Sequence, residues 1–177
     1  MRGVVVLVLL VAGAFMVTTQ VVAQVAWPAV KKLVTTSFPD VDQLSTDGLH
    51  TWMQDSTRVQ PVIFDVREPA EYAMSHLPTA ERLNPEMDTK NDLPASLTTL
   101  DKDAPIVLYC SVGYRSSKLA HQLQREGFTN VQNLEGSIFQ WANEGKPIVL
   151  DGEPATVVHP YDAVWGKLLD EAVRGDI

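Results

Sequence analysis

Two short apolar runs constrain this chain more than anything else in it. Val62-Ile63-Phe64-Asp65-Val66 and Pro105-Ile106-Val107-Leu108-Tyr109-Cys110 are apolar at nearly every position instead of alternating with polar residues. Such runs suit strands buried on both faces, as in a parallel sheet whose connecting helices lie over it. Helical patterning fills the gaps. Ser45 or Thr46 can cap a helix running to Gln54, with Leu49, Trp52 and Met53 as its buried stripe. A further helical stretch covers Glu68 to Met74, with Pro69 tolerated in the first turn, and a looser one covers Leu93 to Leu100. Arg115 to Glu126 repeats apolar residues at Leu119, Ala120 and Leu123 and reaches Gly127, a natural helix stop. Asn130 to Leu134 makes a third strand, and Ser137 to Glu144 a helix closed by Gly145 and Pro147. Strands alternating with helices in this way predict an α/β fold, an open parallel sheet with helices on both faces.

A length of 177 residues leaves room for one such domain with accessories. Part of it is a hydrophobic leader. Arg2 is followed by fifteen residues, Gly3 to Val17, without a polar side chain, and Val21 and Ala23 supply the small residues of a cleavage site. Residues 1–23 therefore read as a signal peptide cleaved after Ala23 or as an uncleaved membrane anchor, since about 20 apolar residues span a bilayer. Both readings place the domain outside the cytoplasm, in the periplasm or anchored facing it. Residues 24–40, with Pro28 and Pro39 and no sustained periodicity, read as a linker or an arm lying over the domain. The net charge of −8 and the lack of a Lys/Arg run exclude a phosphate-backbone surface, so nucleic acid is not an expected partner.

Cys110 is the single cysteine, so no internal disulfide can form and no cysteine-based zinc site exists. His50, His76, His121 and His159 are scattered without metal-ligand spacing, and no metal or cofactor is expected. A free cysteine is commonly an inert core residue, but this one ends a buried strand and opens Cys110-Ser111-Val112-Gly113-Tyr114-Arg115-Ser116. Ligands of open α/β sheets sit beyond the carboxyl ends of the strands. Amides of a tight loop, the positive end of the following helix and the Arg115 guanidinium would together favour the thiolate. Gly113 lets the loop close on the sulfur, and Ser116 or Ser117 can cap the helix or donate to an anion.

With these residues in view, the chain resembles the rhodanese-like domain, a family of sulfurtransferases, across residues 41–150. Three blocks carry the likeness. Asp65-Val66-Arg67-Glu68-Pro69, Glu71-Tyr72 and His76-Leu77-Pro78 are similar to the family's DVRxPxEYxxGHIPGA segment. Cys110, Gly113, Arg115 and Ser116 match its C-x-x-G-x-R-S loop, and Gly136-Ser137-Ile138 with Trp141, Gly145 and Pro147 match its closing block.

The resemblance implies a Cys110 persulfide that moves sulfane sulfur from thiosulfate, a persulfide or a polysulfide to a thiol or cyanide acceptor, including a protein thiol. Ser111, Val112, Gly113, Tyr114, Arg115 and Ser116 would bind the substrate, while Asp65 and Arg67 would support the structure around the loop. The alternatives are a noncatalytic sulfur-carrier or partner-binding module, and a phosphatase or arsenate reductase. Related phosphatases and arsenate reductases have a longer cysteine loop than the one between Cys110 and Arg115. Two departures stand out. Ser75 and Thr79 replace the usual glycines around His76, and Ser111 and Val112 are neutral where thiosulfate-using members often place a second basic residue. A donor less charged than thiosulfate is the consequence expected. Residues 151–177, with a helical pattern from Ala163 to Val173, lie beyond the resemblance as a C-terminal extension.

Overall fold

The computed structural model describes residues 26–91 and 93–177. The leader assigned to residues 1–23 lies outside them. No helix among the described residues is long and apolar enough to cross a membrane.

Five parallel strands form the central sheet: β1 (Asp42–Leu44), β2 (Val62–Asp65), β3 (Glu81–Arg82), β4 (Ile106–Tyr109) and β5 (Val131–Leu134), in the spatial order β1-β5-β4-β2-β3. The two apolar runs are the adjacent strands β2 and β4, with Ile63 opposite Val107 and Phe64 opposite Leu108. Every residue of β4 is buried. Because side chains alternate across a strand, the sheet sorts its core into two clusters. Ile63, Val107 and Tyr109 pack with Leu49, Trp52 and Trp141 of one helical layer. Phe64, Ile106, Leu108 and Cys110 pack with Leu119 and Leu123 of the other. Helices thus cover both faces, as the buried runs require.

Along the chain, a helix over 26–37 (α1) precedes β1, followed by α2 (Thr46–Gln54), α3 (Pro69–Tyr72), α4 (Ala95–Thr98), α5 (Tyr114–Arg125) and α6 (Ser137–Asn143). Ser45 caps α2 by accepting the Gly48 N–H at 3.0 Å. A two-stranded antiparallel hairpin, β6 (Ile148–Leu150) with β7 (Glu153–Ala155), follows α6. The outer strands β1 and β3, only 3 and 2 residues long, are too short to leave a periodic signal in the sequence.

Two flanking segments differ from their sequence reading. Residues 26–37 are helical, not irregular: Pro28 and Pro39 bracket a run in which Val30, Leu33 and Val34 share one face. Val34 is buried, and Ala26, Trp27 and Val30 pack on the core. The pattern at Ala163 to Val173 yields two short 3-10 turns, Trp165–Leu168 and Glu171–Val173, instead of one helix. Asn143 explains the break, because it donates to the Leu168 carbonyl at 2.7 Å and accepts the Asp170 N–H at 2.8 Å, holding the intervening chain extended.

Candidate active site

Cys110 follows the last residue of β4, at the carboxyl end of the most buried strand. The chain then turns sharply into α5. Gly113 occupies the N-cap position with φ 107, and a Cβ there would meet the Asn133 side chain at 3.2 Å, so both backbone and space call for glycine. This turn brings the Gly113 N–H to 3.1 Å from Cys110 Sγ. The start of α6 holds the loop from beneath: Ser137 Oγ accepts the Cys110 N–H at 3.1 Å, while the Ile138 and Phe139 amides donate to the Cys110 and Ser111 carbonyls. The Gly136-Ser137-Ile138 block is therefore a cradle for the cysteine loop.

The electrostatics favour a thiolate. Burial pushes the Cys110 thiol up, but the Arg115 charge, the Ser116 hydroxyl and the Ser116 and Gly113 amides outweigh it and hold the thiol below its ordinary value. Ser116 does not cap α5. Its hydroxyl donates to Asn133 Oδ1 at 2.6 Å in the neutral arrangement, and its single proton must leave Asn133 to reach the sulfur. Ser117, buried as well, has no partner for its hydroxyl among the described residues.

Arg115 is already engaged. Its Nη1 and Nη2 donate to Glu71 Oε2 and Oε1, each at 2.8 Å, and Nη2 also donates to Ser111 Oγ at 2.9 Å. Ser111 Oγ in turn donates to Glu71 Oε1 at 2.7 Å. Burial works against the Glu71 charge, yet Arg115, Ser111 and the Glu68 amide keep its carboxyl below the usual range. Glu71, quoted in the first sequence block, is the residue of this site to which the sequence reading gave no role. The Glu68-x-x-Glu71 spacing announces a helix start, which α3 confirms as a capping box, but nothing local reveals that the same carboxylate reaches the loop 44 residues away.

Asp65 and Arg67 sit one layer further from the sulfur. They form a fully buried ion pair, Arg67 Nη2 donating to Asp65 Oδ2 at 2.7 Å. The Tyr109 hydroxyl donates to the same oxygen and accepts the Leu77 N–H, while Arg67 Nη2 donates to the Ser75 carbonyl at 2.6 Å. Burial and the neighbouring Asp65 charge push the Tyr109 hydroxyl well above its ordinary range, so it stays a donor. These contacts fix the 75–77 turn next to β4, and their link to the cysteine loop runs through Tyr109. Of the two departures from glycine, Thr79 adopts φ 64, a left-handed conformation, whereas Ser75 is buried and donates to the Val157 carbonyl.

A cavity of about 170 Å³ opens over the sulfur. Cys110, Ser111, Val112, Tyr114 and Arg115 form its floor, while Val30, Leu33 and Val34 of α1 and Tyr161 and Trp165 of the C-terminal extension form its walls. No cluster of metal-ligating side chains occurs among the described residues.

An open parallel sheet carrying a strand-end cysteine in a tight loop that leads into a helix defines a class of α/β domains with a cysteine loop, and comparison with known proteins assigns the chain within it. The rhodanese-like domain profile matches residues 45–144, more than half of the chain, which therefore belongs to the rhodanese-like family. A sulfurtransferase of Allochromatium vinosum is 32% identical over 109 residues, 62% of this chain and 95% of that protein. The putative sulfurtransferase YtwF of Bacillus subtilis is 32% identical over 108 residues, 61% of this chain and 97% of its own. Among solved structures, a rhodanese-like domain protein from Staphylococcus aureus superposes with a TM-score of 0.52 at 26% identity, covering 63% of this chain and 99% of the other. The matched region ends before the C-terminal extension and begins after α1, so both walls of the cavity lie outside it.

Proposed function

We propose that the protein is a sulfurtransferase in which Cys110 accepts a sulfane sulfur and passes it to a thiophilic acceptor. The observation that carries this reading is the Gly113 amide 3.1 Å from Cys110 Sγ, in a loop that holds the thiol below its ordinary value. The thiolate attacks the outer sulfur of the donor. With a persulfide, Cys110-S⁻ and R-S-SH give Cys110-S-SH and RS⁻; with thiosulfate, the products are Cys110-S-S⁻ and sulfite. Attack by cyanide or a thiolate on the outer sulfur of the enzyme persulfide then releases the Cys110 thiolate, which completes a ping-pong cycle. Loop amides that stabilise the thiolate also stabilise the persulfide anion, as an oxyanion hole does for oxygen. The names of the Allochromatium and Bacillus relatives agree with this chemistry. Export by the leader completes the reading: in an oxidising compartment, a chain with one cysteine has no internal partner to quench its nucleophile.

The test is direct. Mass spectrometry of the protein treated with polysulfide should find one added sulfur, removed by cyanide as thiocyanate and absent from Cys110→Ser. A wild type that takes up no sulfur from any sulfane donor refutes the proposal. Sulfur uptake without turnover by any acceptor would instead favour the carrier reading.

A further inference from the structure

We propose that α1 and the C-terminal extension form a donor-selecting roof over Cys110, and that the donor it admits is a small organic persulfide bearing an apolar group. This inference rests on the Cys110 sulfur-transfer reading and adds to it the class of donor and the residues that choose it.

Access is the first argument. Cys110 is 1% exposed, and its side chain contributes to the floor of the 170 Å³ cavity. The walls come from Val30, Leu33 and Val34 on one side and Tyr161 and Trp165 on the other, with Val112 on the floor. A donor that presents its outer sulfur to Cys110 places its remaining atoms against these side chains, and aliphatic and aromatic surface rewards an apolar group there.

Charge is the second argument. Among the described residues, Arg115 is the only charged one lining the cavity. Two of its nitrogens are committed to Glu71 and one of these also to Ser111, while the Tyr161 ring lies 4.9 Å from its central carbon and covers its face. A dianion such as thiosulfate would enter an apolar cavity whose one cation is already paired with a buried carboxylate. Such an ion loses its hydration in exchange for only the share of the Arg115 charge that Glu71 leaves uncompensated. A persulfide with one charge or none avoids that cost.

The roof is anchored. Lys31 of α1 pairs with Glu135 at 2.8 Å. Asp162 accepts the Val164 and Trp165 amides at 2.7 and 2.8 Å, and Gly166 packs so closely on Pro160 that a Cβ would lie 2.6 Å from the proline side chain. Tyr161 is held at φ 66, a left-handed conformation costly for an aromatic residue, and this placement sets its ring over Arg115.

In the loading step the Cys110 thiolate attacks the outer sulfur of R-S-SH, the S–S bond of the donor breaks, and RS⁻ leaves with the bonding electrons while the proton stays on the transferred sulfur. The test uses the full chain with n-butyl hydropersulfide, inorganic hydrodisulfide and thiosulfate as probes, following single-sulfur addition to Cys110 by mass spectrometry. The butyl donor should load about tenfold faster or more than thiosulfate, the discrimination expected of a fitted apolar pocket. Its rate relative to hydrodisulfide should fall about fivefold or more in Leu33→Asp and in Tyr161→Ser. Leu33 and Tyr161 are half exposed, so these substitutions spare the core, and a melting curve identifies either variant that fails to fold and leaves the decision to the other. Thiosulfate loading as fast as the butyl donor, or an unchanged ratio in a folded variant, overturns the selecting roof while leaving sulfur transfer in place. Failure of hydrodisulfide to load the wild type overturns the sulfur-transfer reading, and this inference with it.

Discussion

Glu71 grips both terminal nitrogens of Arg115, at 2.8 Å each, and so decides how much positive charge the cysteine loop offers a ligand. Glu71 is 2% exposed on α3, and Arg115 stands in the first turn of α5, so the pair also joins the first and second of the three sequence blocks. Arg115 retains enough influence to favour the Cys110 thiolate. Three of its five N–H donors, however, are committed to a carboxylate and a serine.

Glu71→Gln should expose this arrangement. Loss of the charge-assisted bonds should destabilise the fold by about 1.5–3 kcal/mol in urea unfolding. The folded-state carboxyl is held low, so its contribution is present at neutral pH and is lost as pH falls below the ordinary glutamate value of about 4.3. Unfolding midpoints of the wild type should therefore drop more steeply than those of the variant as pH falls below about 5. With Arg115 released, thiosulfate loading should rise relative to that of a neutral donor. An unaltered donor ratio would show that Glu71 does not set the charge of the loop.

The reactivity of Cys110 should extend to lower pH than that of a free thiol. Its attack requires the thiolate, and the folded protein holds the thiol below its ordinary value, so the rate of alkylation by iodoacetamide should titrate with a midpoint below that of the same thiol in the urea-unfolded chain. Arg115→Gln removes the largest favourable contribution and leaves Glu71 beside the loop, which should move the midpoint upward. A midpoint indifferent to Arg115 would assign the thiolate to the Ser116 hydroxyl and the loop amides.

The difference between what the sequence disclosed and what it concealed follows contact distance. β2, β4 and α5 were legible because their burial is written into consecutive residues, and the C-x-x-G-x-R-S loop because its chemistry lies within seven positions. Glu71 and the cavity walls were not. The Glu71 carboxylate meets a loop 44 residues later, and Val34 and Trp165 lie far apart in the chain yet face the same cavity. Residues 26–37 hid a helix for another reason: Pro28 and Pro39 look like interruptions until the uninterrupted stretch between them is examined at helical spacing. Thr79 shows the converse. Its mismatch with the family glycine is visible in the sequence, and the left-handed backbone it must adopt is the physical cost of that mismatch.

Asp65→Ala should be among the more damaging single substitutions. Asp65 and Arg67 are both fully buried, and Arg67 keeps its charge because Asp65 outweighs the effect of burial. Removing the carboxylate strands a buried guanidinium and frees the Tyr109 hydroxyl, so a loss of about 3–5 kcal/mol is expected from chemical denaturation. A loss below about 1 kcal/mol would mean that water reaches Arg67 and that the pair does not support the turn.

Thr79→Gly should act in the opposite direction. Thr79 is exposed at φ 64, where a β-branched residue is strained by about 1–2 kcal/mol and glycine is not. Glycine also gains freedom in the unfolded chain, which offsets about 0.4–1 kcal/mol of that relief. The remainder should appear as a gain of up to about 1.6 kcal/mol in thermal or urea unfolding. Thr79→Val serves as the control, since it retains the strained branching and should give no gain. Destabilisation by glycine would show that the threonine side chain itself holds the turn, and would locate the origin of its φ in side-chain contacts instead of the path between His76 and β3.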